Sequence, residues 1–465
     1  MIEGLKPYPK MKDSGVPWLG RVPEHWEIRK LRQVLDRVTE RNRPDLPLLS
    51  VVRERGVILR DIHSADENHN FIPDDLSNYK VVRCGQFAMN KMKAWQGSYG
   101  ISRNEGIVSP AYFVFDVAGV DGDFFHRAIR SRAYVPSFTQ ASDGVRVGQW
   151  DLSIPRMREI EFACPKPSEQ AAIATFLAHA DRRIRRLIRS KQKLITLLEE
   201  QKQAIIHRAV TRGLDQSLPL KASGIEWLGD IPQHWRVARA ASVCRLISAK
   251  AHEQFVEPDG EHICVTARFV STNGRSFRRC TKNLSPALRG DVLMVMSDLP
   301  RGRALARTFL VSDEQSYAVN QRVCILRSHG VEPRFLSYVA NRHPELLAHD
   351  DGFNQTHLPN GAFKIMQLPL PPLEEQSSIS DVLDRDTADI DRSSERMSLE
   401  IALLAEFRTR LISDVVTGKL DVREAAARLP ADSVERDDPS DDTDPDGEED
   451  GDSAAESVPE DGDGG

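Results

Sequence analysis

The side chains best suited to covalent or metal chemistry are present in this sequence but nowhere grouped for it. Six cysteines (Cys84, Cys164, Cys244, Cys264, Cys280, Cys324) stand singly, without a Cys-x-x-Cys or a Cys/His pair at zinc-ligand spacing. Buried, reduced thiols and no metal site are the expectation. No Gly-x-x-x-x-Gly-Lys-Ser/Thr loop is present to cradle a nucleotide, and no Gly-x-Gly-x-x-Gly follows a strand to hold a dinucleotide or methyl donor. There is no His-Glu-x-x-His and no Asn-Pro-Pro-aromatic motif, and Pro258-Asp259 with Glu261 lacks the nearby lysine of a nuclease cluster. We therefore assign no catalytic residue and expect the chain itself to bind no cofactor.

Cations interleaved with aromatic and amide groups suit nucleic acid better. Phosphate contacts supply affinity, and base-edge contacts supply sequence preference. After a short strand, Lys91, Lys93, Trp95, Gln96, Ser98 and Tyr99 share one loop. The lysines can meet phosphates and Gln96 can pair with adenine; the alternative is that Trp95 and Tyr99 are core. In the second half of the chain, Arg301, Arg303 and Arg307 form the comparable cluster, with Arg275 and Arg278 nearby. Arginine takes guanine bidentately, so Arg301→Ala or Arg303→Ala is expected to weaken binding to a cognate site.

The net charge of −6 argues against a polyanionic partner, but its distribution points the other way. Residues 431–465 hold 16 acidic residues and only Arg436 as a cation, which leaves the preceding 430 residues at +9. An acidic tail without aromatics cannot bury enough apolar surface to fold, and we place it at 422–465. No apolar run is long enough to span a bilayer, and the first dozen residues show no secretory pattern, so a cytoplasmic protein is expected.

What must position these groups is duplicated. SGVPWLGRVPEHW at 14–26 recurs as SGIEWLGDIPQHW at 223–235. Trp18, His25 and Trp26 thus correspond to Trp227, His234 and Trp235, and the histidines are expected to hydrogen-bond and pack beside the tryptophans rather than to act in catalysis. A second repeat closes each copy: residues 169–215 align without gaps on 375–421, identical at 15 of 47 positions, among them Glu169 and Gln170. Between opener and closer lie about 130 residues of short β-rich runs (Phe87–Met89, Ala111–Phe115, Asp291–Val295, Val323–Leu326), then a short helix pattern at Phe124–Arg130 and Phe335–Asn341.

The closers read as long helices. In the first, steps of three and four run through Ile173, Leu177, Ala180, Ile184, Leu187, Lys191, Leu194, Leu198, Gln201 and Ile205. In the second, Ile379, Leu383, Ile390, Met397, Leu404, Phe407 and Leu411 keep the stripe, while Asp386, Ser393 and Glu400 interrupt it. Prolines open both, and Gly213 and Gly418 sit where C-terminal caps belong. About 43 residues make a rod of roughly 60–65 Å. The first rod carries a basic run including Arg182 and Arg186. Lys191 against Glu400 or Asp386 is a candidate register pair. The fold class is α/β (α+β), with domain 1 at 1–166, helix 1 at 167–213, domain 2 at 214–371 and helix 2 at 372–418.

The paired W-L-G-x-[IV]-P-x-H-W openers resemble the start of target recognition domains in Type I restriction-modification specificity subunits. P-K-P-S-E-Q (165–170), P-P-L-E-E-Q (371–376) and the V-T-x-G-L-D and V-T-G-K-L-D endings are similar to the same family. The resemblance covers residues 14–421. It implies two target recognition domains on an antiparallel coiled coil with pseudo-two-fold symmetry, each reading half of a bipartite, asymmetric site in double-stranded DNA. It also implies two methyltransferase subunits docked on the helices, and restriction subunits that translocate and cut; S-adenosylmethionine, ATP and Mg2+ would sit on those partners. The rival reading is a protein-binding scaffold with two paralogous domains.

Overall fold

A computed structural model describes residues 5–53, 55–60, 72–73, 75–144, 150–298, 304–350 and 355–430. Four helices carry the argument: α1 (Gly122–Ile129), α2 (Pro167–Arg212), α3 (Pro333–Ala340) and α4 (Leu373–Val416). The chain divides into two compact units, Met1–Arg189 with Glu400–Gly465, and Ser190–Leu399. Each unit therefore holds one mixed domain, half of α2 and half of α4.

In the first unit, strands β1 (Leu35–Val38), β2 (Phe87–Met89), β3 (Tyr99–Ile101) and β4 (Phe113–Val117) form an antiparallel sheet in the order β1-β4-β2-β3. Phe87, Phe115, Phe124, Phe125, Tyr134 and Phe162 are fully buried together beneath it. Two antiparallel pairs, Leu49–Val52 with Gly56–Leu59 and Lys80–Val82 with Gly106–Val108, are joined by a parallel bridge between Leu48 and Ile107. The strand Glu161–Cys164 pairs with Glu27–Lys30 just before α2 begins.

The second unit repeats this plan. Strands β5 (Cys244–Ser248), β6 (Val292–Val295), β7 (Thr308–Leu310) and β8 (Val323–Ser328) pair antiparallel in the order β5-β8-β6-β7. That is the first unit's order element for element. His262–Val265 runs parallel to Tyr317–Val319, as the Leu48–Ile107 bridge does in the first unit. Gln367–Leu370 pairs with Arg236–Arg239 just before α4. The expected strand runs and both short helices lie within two residues of the observed elements. The acidic tail was expected from 422, but Val422 is fully buried and Arg423–Ala427 forms a helical turn packed on the first unit's core; residues 431–465 lie outside the described residues.

Within each unit the two half-helices run in opposite directions. In the first, Ile173, Leu177 and Ala180 share a core with Leu411, Val415 and Val416, and Asp181 pairs with Arg408. In the second, Ile206 and Val210 share a core with Ile379 and Leu383, and Lys202 pairs with Asp391. Arg408 and Lys202 hold equivalent positions in the repeat, so one cation is used twice.

The inward stripe differs from the one expected. Ile173, Leu177, Ala180, Ile184, Lys191, Leu198 and Ile205 face inward as read from the sequence. The remaining positions fall one residue later, at Ile188, Ile195 and Lys202, with Asp181 and Ala209 on the same line, while Leu187 and Leu194 are 45% and 44% exposed. In α4 the same slip turns Thr387, Ser394, Ile401 and Arg408 inward, leaving Asp386 exposed beside Arg385 at 3.0 Å and Phe407 on the surface. Steps of three and four define two neighbouring stripes. Leu187 and Leu194 point to one and Ile188 and Ile195 to the other, and the charges Asp181 and Lys202 on the true seam meet Arg408 and Asp391 across it. Arg182, Lys191 and Glu400 are half-buried and Arg186 is exposed.

Asp181 gives a direct test. Burial raises its pKa, but Arg408 and Arg185 outweigh that and hold the carboxyl below its ordinary range. A depressed folded pKa contributes stability above the unfolded pKa, and that contribution fades as pH falls through the folded value. Asp181→Asn is therefore expected to cost about 2 kcal/mol near neutral pH. In urea titrations the gap from wild type should close below about pH 4; a gap independent of pH would exclude this ion pair as its source.

Candidate nucleic-acid interface

The opener of each copy forms a clasp at the start of a long helix. Glu169, in the first turn of α2, accepts from Tyr8 Oη at 2.6 Å and Trp26 Nε1 at 3.0 Å, and its second oxygen meets His25 Nε2 at 2.7 Å. Glu375, in the first turn of α4, likewise meets Trp235 Nε1 at 3.0 Å and His234 Nε2 at 2.8 Å. Burial, then the bond to Glu169, pushes the Tyr8 phenol above its ordinary pKa, so it remains a neutral donor. The following glutamines act in parallel. Gln170 donates to the carbonyl of Pro165 and accepts from the Asp121 amide at the N-cap of α1, at 2.7 and 2.6 Å. Gln376 donates to Pro371 and accepts from Glu332 at the N-cap of α3, both at 2.8 Å. The Glu-Gln pair thus fixes each domain's sheet and short helix onto its rod. His25 and His234 each hydrogen-bond the same glutamate as the tryptophan of their own opener. Trp18 is 39% exposed with its ring edge-on to Tyr134, and Trp227 donates to Glu345 at 3.2 Å.

The loop after β2 is folded against the segment that ends at Leu152. Lys91 pairs with Asp151, Trp95 lies 5.2 Å from the Trp150 ring, and the Trp95 carbonyl accepts from Thr139 at 2.9 Å. Lys93 and Met92 are exposed and Gln96 is half-buried. Two of the candidates are placed elsewhere. Tyr99 is fully buried, packs 4.3 Å from the Phe138 ring and donates to the Ile129 carbonyl at 3.2 Å; Ser98 is 2% exposed. Both are buried: Tyr99 opens β3 and Ser98 immediately precedes it. Of the loop candidates, Lys93 is exposed and Lys91, Trp95 and Gln96 are half-buried.

In the second unit, Arg275 is exposed, donates to the Thr272 carbonyl at 3.0 Å and lies 3.8 Å from Glu395 of α4. Arg278 is exposed on the strand Arg278–Cys280. Arg307 is half-buried, and its backbone joins the turn into β7. Arg301 and Arg303 lie outside the described residues. Apart from exposed Cys84, the cysteines are buried, and burial pushes the Cys244, Cys264 and Cys324 thiols up to about 12, which makes them poor nucleophiles. Among the described residues no cluster of His, Cys, Asp and Glu could hold a metal ion, and no helix is long and apolar enough to cross a membrane.

Comparison with known proteins finds a matching domain and several similar chains. Residues 245–399 match the Type I restriction modification DNA specificity domain. The chain is similar to the Type I restriction enzyme MjaVIII specificity subunit of Methanocaldococcus jannaschii, 24% identical over 281 residues covering 57% of this chain and 63% of that relative, a little under two thirds of its length. A chain from a structure concerned with complex assembly and conformational transition of the type I R-M system is similar with a TM-score of 0.60 at 16% identity, covering 85% of this chain and 98% of that one. The HsdS subunit from Thermoanaerobacter tengcongensis aligns over 86% of this chain and 98% of its own, with a TM-score of 0.42 and 17% identity. Residues 245–399 thus carry a Type I restriction modification DNA specificity domain, and the likeness to the first of these solved chains extends to the fold over most of the remainder.

Proposed function

We propose that this chain is the DNA-reading, non-catalytic subunit of a Type I restriction-modification complex. Each of its two domains reads one half of a bipartite asymmetric site. The observation that carries this is the duplication itself: two sheets of identical strand order, each clasped to a long helix by the same Glu, His and Trp, with dissimilar loops between. One frame with two interiors suits two different half-sites. Residues 1–166 and 214–371 act as the recognition domains, and the helices at 167–213 and 372–418 form an antiparallel coiled coil with pseudo-two-fold symmetry. The opposed half-helices within each unit support that pairing.

The helices would also dock two methyltransferase subunits. Leu187, Leu403 and Phe407 in the first unit, and Leu194, Leu197 and Leu399 in the second, are 43–62% exposed on rods whose seam is already filled. Restriction subunits complete the complex. S-adenosylmethionine, ATP and Mg2+ act on those partners in this reading. Mapping modified adenines in the host genome with and without the gene is the decisive experiment; an identical methylation pattern would reject the assignment. Removing whole turns from both helices should shift the preferred gap between half-sites, which are read about one duplex turn apart. An unchanged gap would mean that the helices do not set the spacing.

A further inference from the structure

The first unit contains a cavity of about 310 Å³ that the base-reading proposal does not use. It lies where α1, the hairpin turn after Leu49–Val52, the start of α2 and the end of α4 converge, and eight arginines line it. Arg127, Arg130 and Arg132 come from α1 and the turn after it, Arg185 from α2 and Arg408 from α4. Asp123 and Asp181 are the only carboxylates among the described lining residues, which leaves that lining at +6.

Two further observations point to a ligand. Ser131 lines the cavity, is 5% exposed, and its Oγ has no hydrogen-bond partner among the described residues. A buried hydroxyl without a partner costs about 1–3 kcal/mol, which an acceptor in the cavity would offset. His126, also in the wall, accepts from the Ile101 amide at 3.1 Å through Nδ1. Burial first, then Arg130, Arg127 and Arg103, holds its pKa well below the usual value, so it adds no charge and presents Nε2 as a donor. The cations are also held in place. Arg130 donates to the backbone carbonyls of Arg53 (2.7 Å), Gly97 and Tyr99, and Asp181 aligns Arg185 and Arg408. Fixed guanidinium forks around a concave polar space match phosphoryl oxygens, which accept two parallel hydrogen bonds from each fork.

We propose that this cavity is a phosphate-binding site, taking the phosphoryl groups of a compact polyanion between the first recognition domain and the two helix segments that support it. Because α1, α2 and α4 all contribute, an occupant ties the domain to its rods. The phosphates come either from a free polyphosphate or from a duplex backbone; the second source rests on the DNA-reading proposal above.

The test is calorimetric titration of the full chain with sodium tripolyphosphate at fixed ionic strength. One saturable site is expected, weakened about tenfold or more by Arg127→Gln, by Arg132→Gln and by Ser131→Ala. Arg289→Gln, an exposed arginine of the second unit beside Glu314, should leave it unchanged. Arg132 is exposed, so its variant folds even where Arg127→Gln does not. Duplex DNA that displaces tripolyphosphate assigns the phosphates to the backbone, whereas simultaneous binding assigns them to a free polyphosphate. No saturable heat up to about 1 mM, or equal affinity in Arg132→Gln, Ser131→Ala and wild type, overturns the site. Absence of duplex binding by every form, wild type included, counts against DNA reading and leaves the tripolyphosphate result standing.

Discussion

Replacing Glu169 with alanine is expected to destabilise the protein by about 4 kcal/mol, more than any other single truncation in the clasps. The carboxylate is 5% exposed and serves three donors. Without it, the Trp26 indole N–H and the Tyr8 hydroxyl are left in a dry site, each at about 1–3 kcal/mol, while His25, one third exposed, can turn to water. Glu375→Ala should cost only about 1–2 kcal/mol. Glu375 is 25% exposed, its histidine is 44% exposed, and no third donor reaches it among the described residues. Urea midpoints followed by tryptophan fluorescence measure both. Equal losses would show that the third donor and the deeper burial are unimportant. Glu169→Gln, which keeps one acceptor oxygen, should fall between wild type and alanine.

This asymmetry between two motifs that share the same Glu, His and Trp shows where a sequence reading stops. The duplication, the strand runs and the positions of both short helices were legible, because hydrophobic period and repeat spacing are local properties of the chain. The recurrence of His25 and His234 beside tryptophan was legible as part of the repeat. Their partner was not. Glu169 and Glu375 stand only as matching letters in an aligned repeat, about 140 residues from the histidines, and nothing in either stretch announces the contact. Tyr99 escapes a sequence reading because a loop that alternates cations and aromatics reads the same whether its last ring faces water or closes a core. The helix seam slips by one residue for a related reason: Leu187 and Leu194 are each followed by an equally apolar isoleucine, Ile188 and Ile195, so hydrophobicity does not separate the two stripes, and the charges on the true one meet their partners Arg408 and Asp391 only across the seam. The arginine-lined cavity was invisible altogether, since its walls come from five separate stretches of chain.

The far end of each rod supplies the second large effect. Gly418 and Gly213 close α4 and α2 with φ of +74° each, the left-handed conformation that glycine adopts without penalty. A methyl group there costs about 1–2 kcal/mol in backbone strain at either position. The surroundings then separate the two. A Cβ on Gly418 would lie 2.3 Å from Pro23 Cδ and 2.8 Å from Pro23 Cγ, with the Trp26 ring 3.2 Å away. The proline ring cannot swing aside, so the opener must move and loosen the indole that donates to Glu169. On Gly213 the nearest atoms are Glu375 Oε1 and the Trp235 ring, both at 3.2 Å, and a few tenths of an ångström suffice. Gly418→Ala is therefore expected to cost about 3–4 kcal/mol and Gly213→Ala about 1–2 kcal/mol. Because Trp26 touches both the glycine ending α4 and the glutamate beginning α2, Gly418→Ala and Glu169→Ala should be strongly non-additive in a double-mutant cycle. Additive losses would mean that the two rod ends are held independently, and that the clasp does not couple the close of one helix to the start of the other.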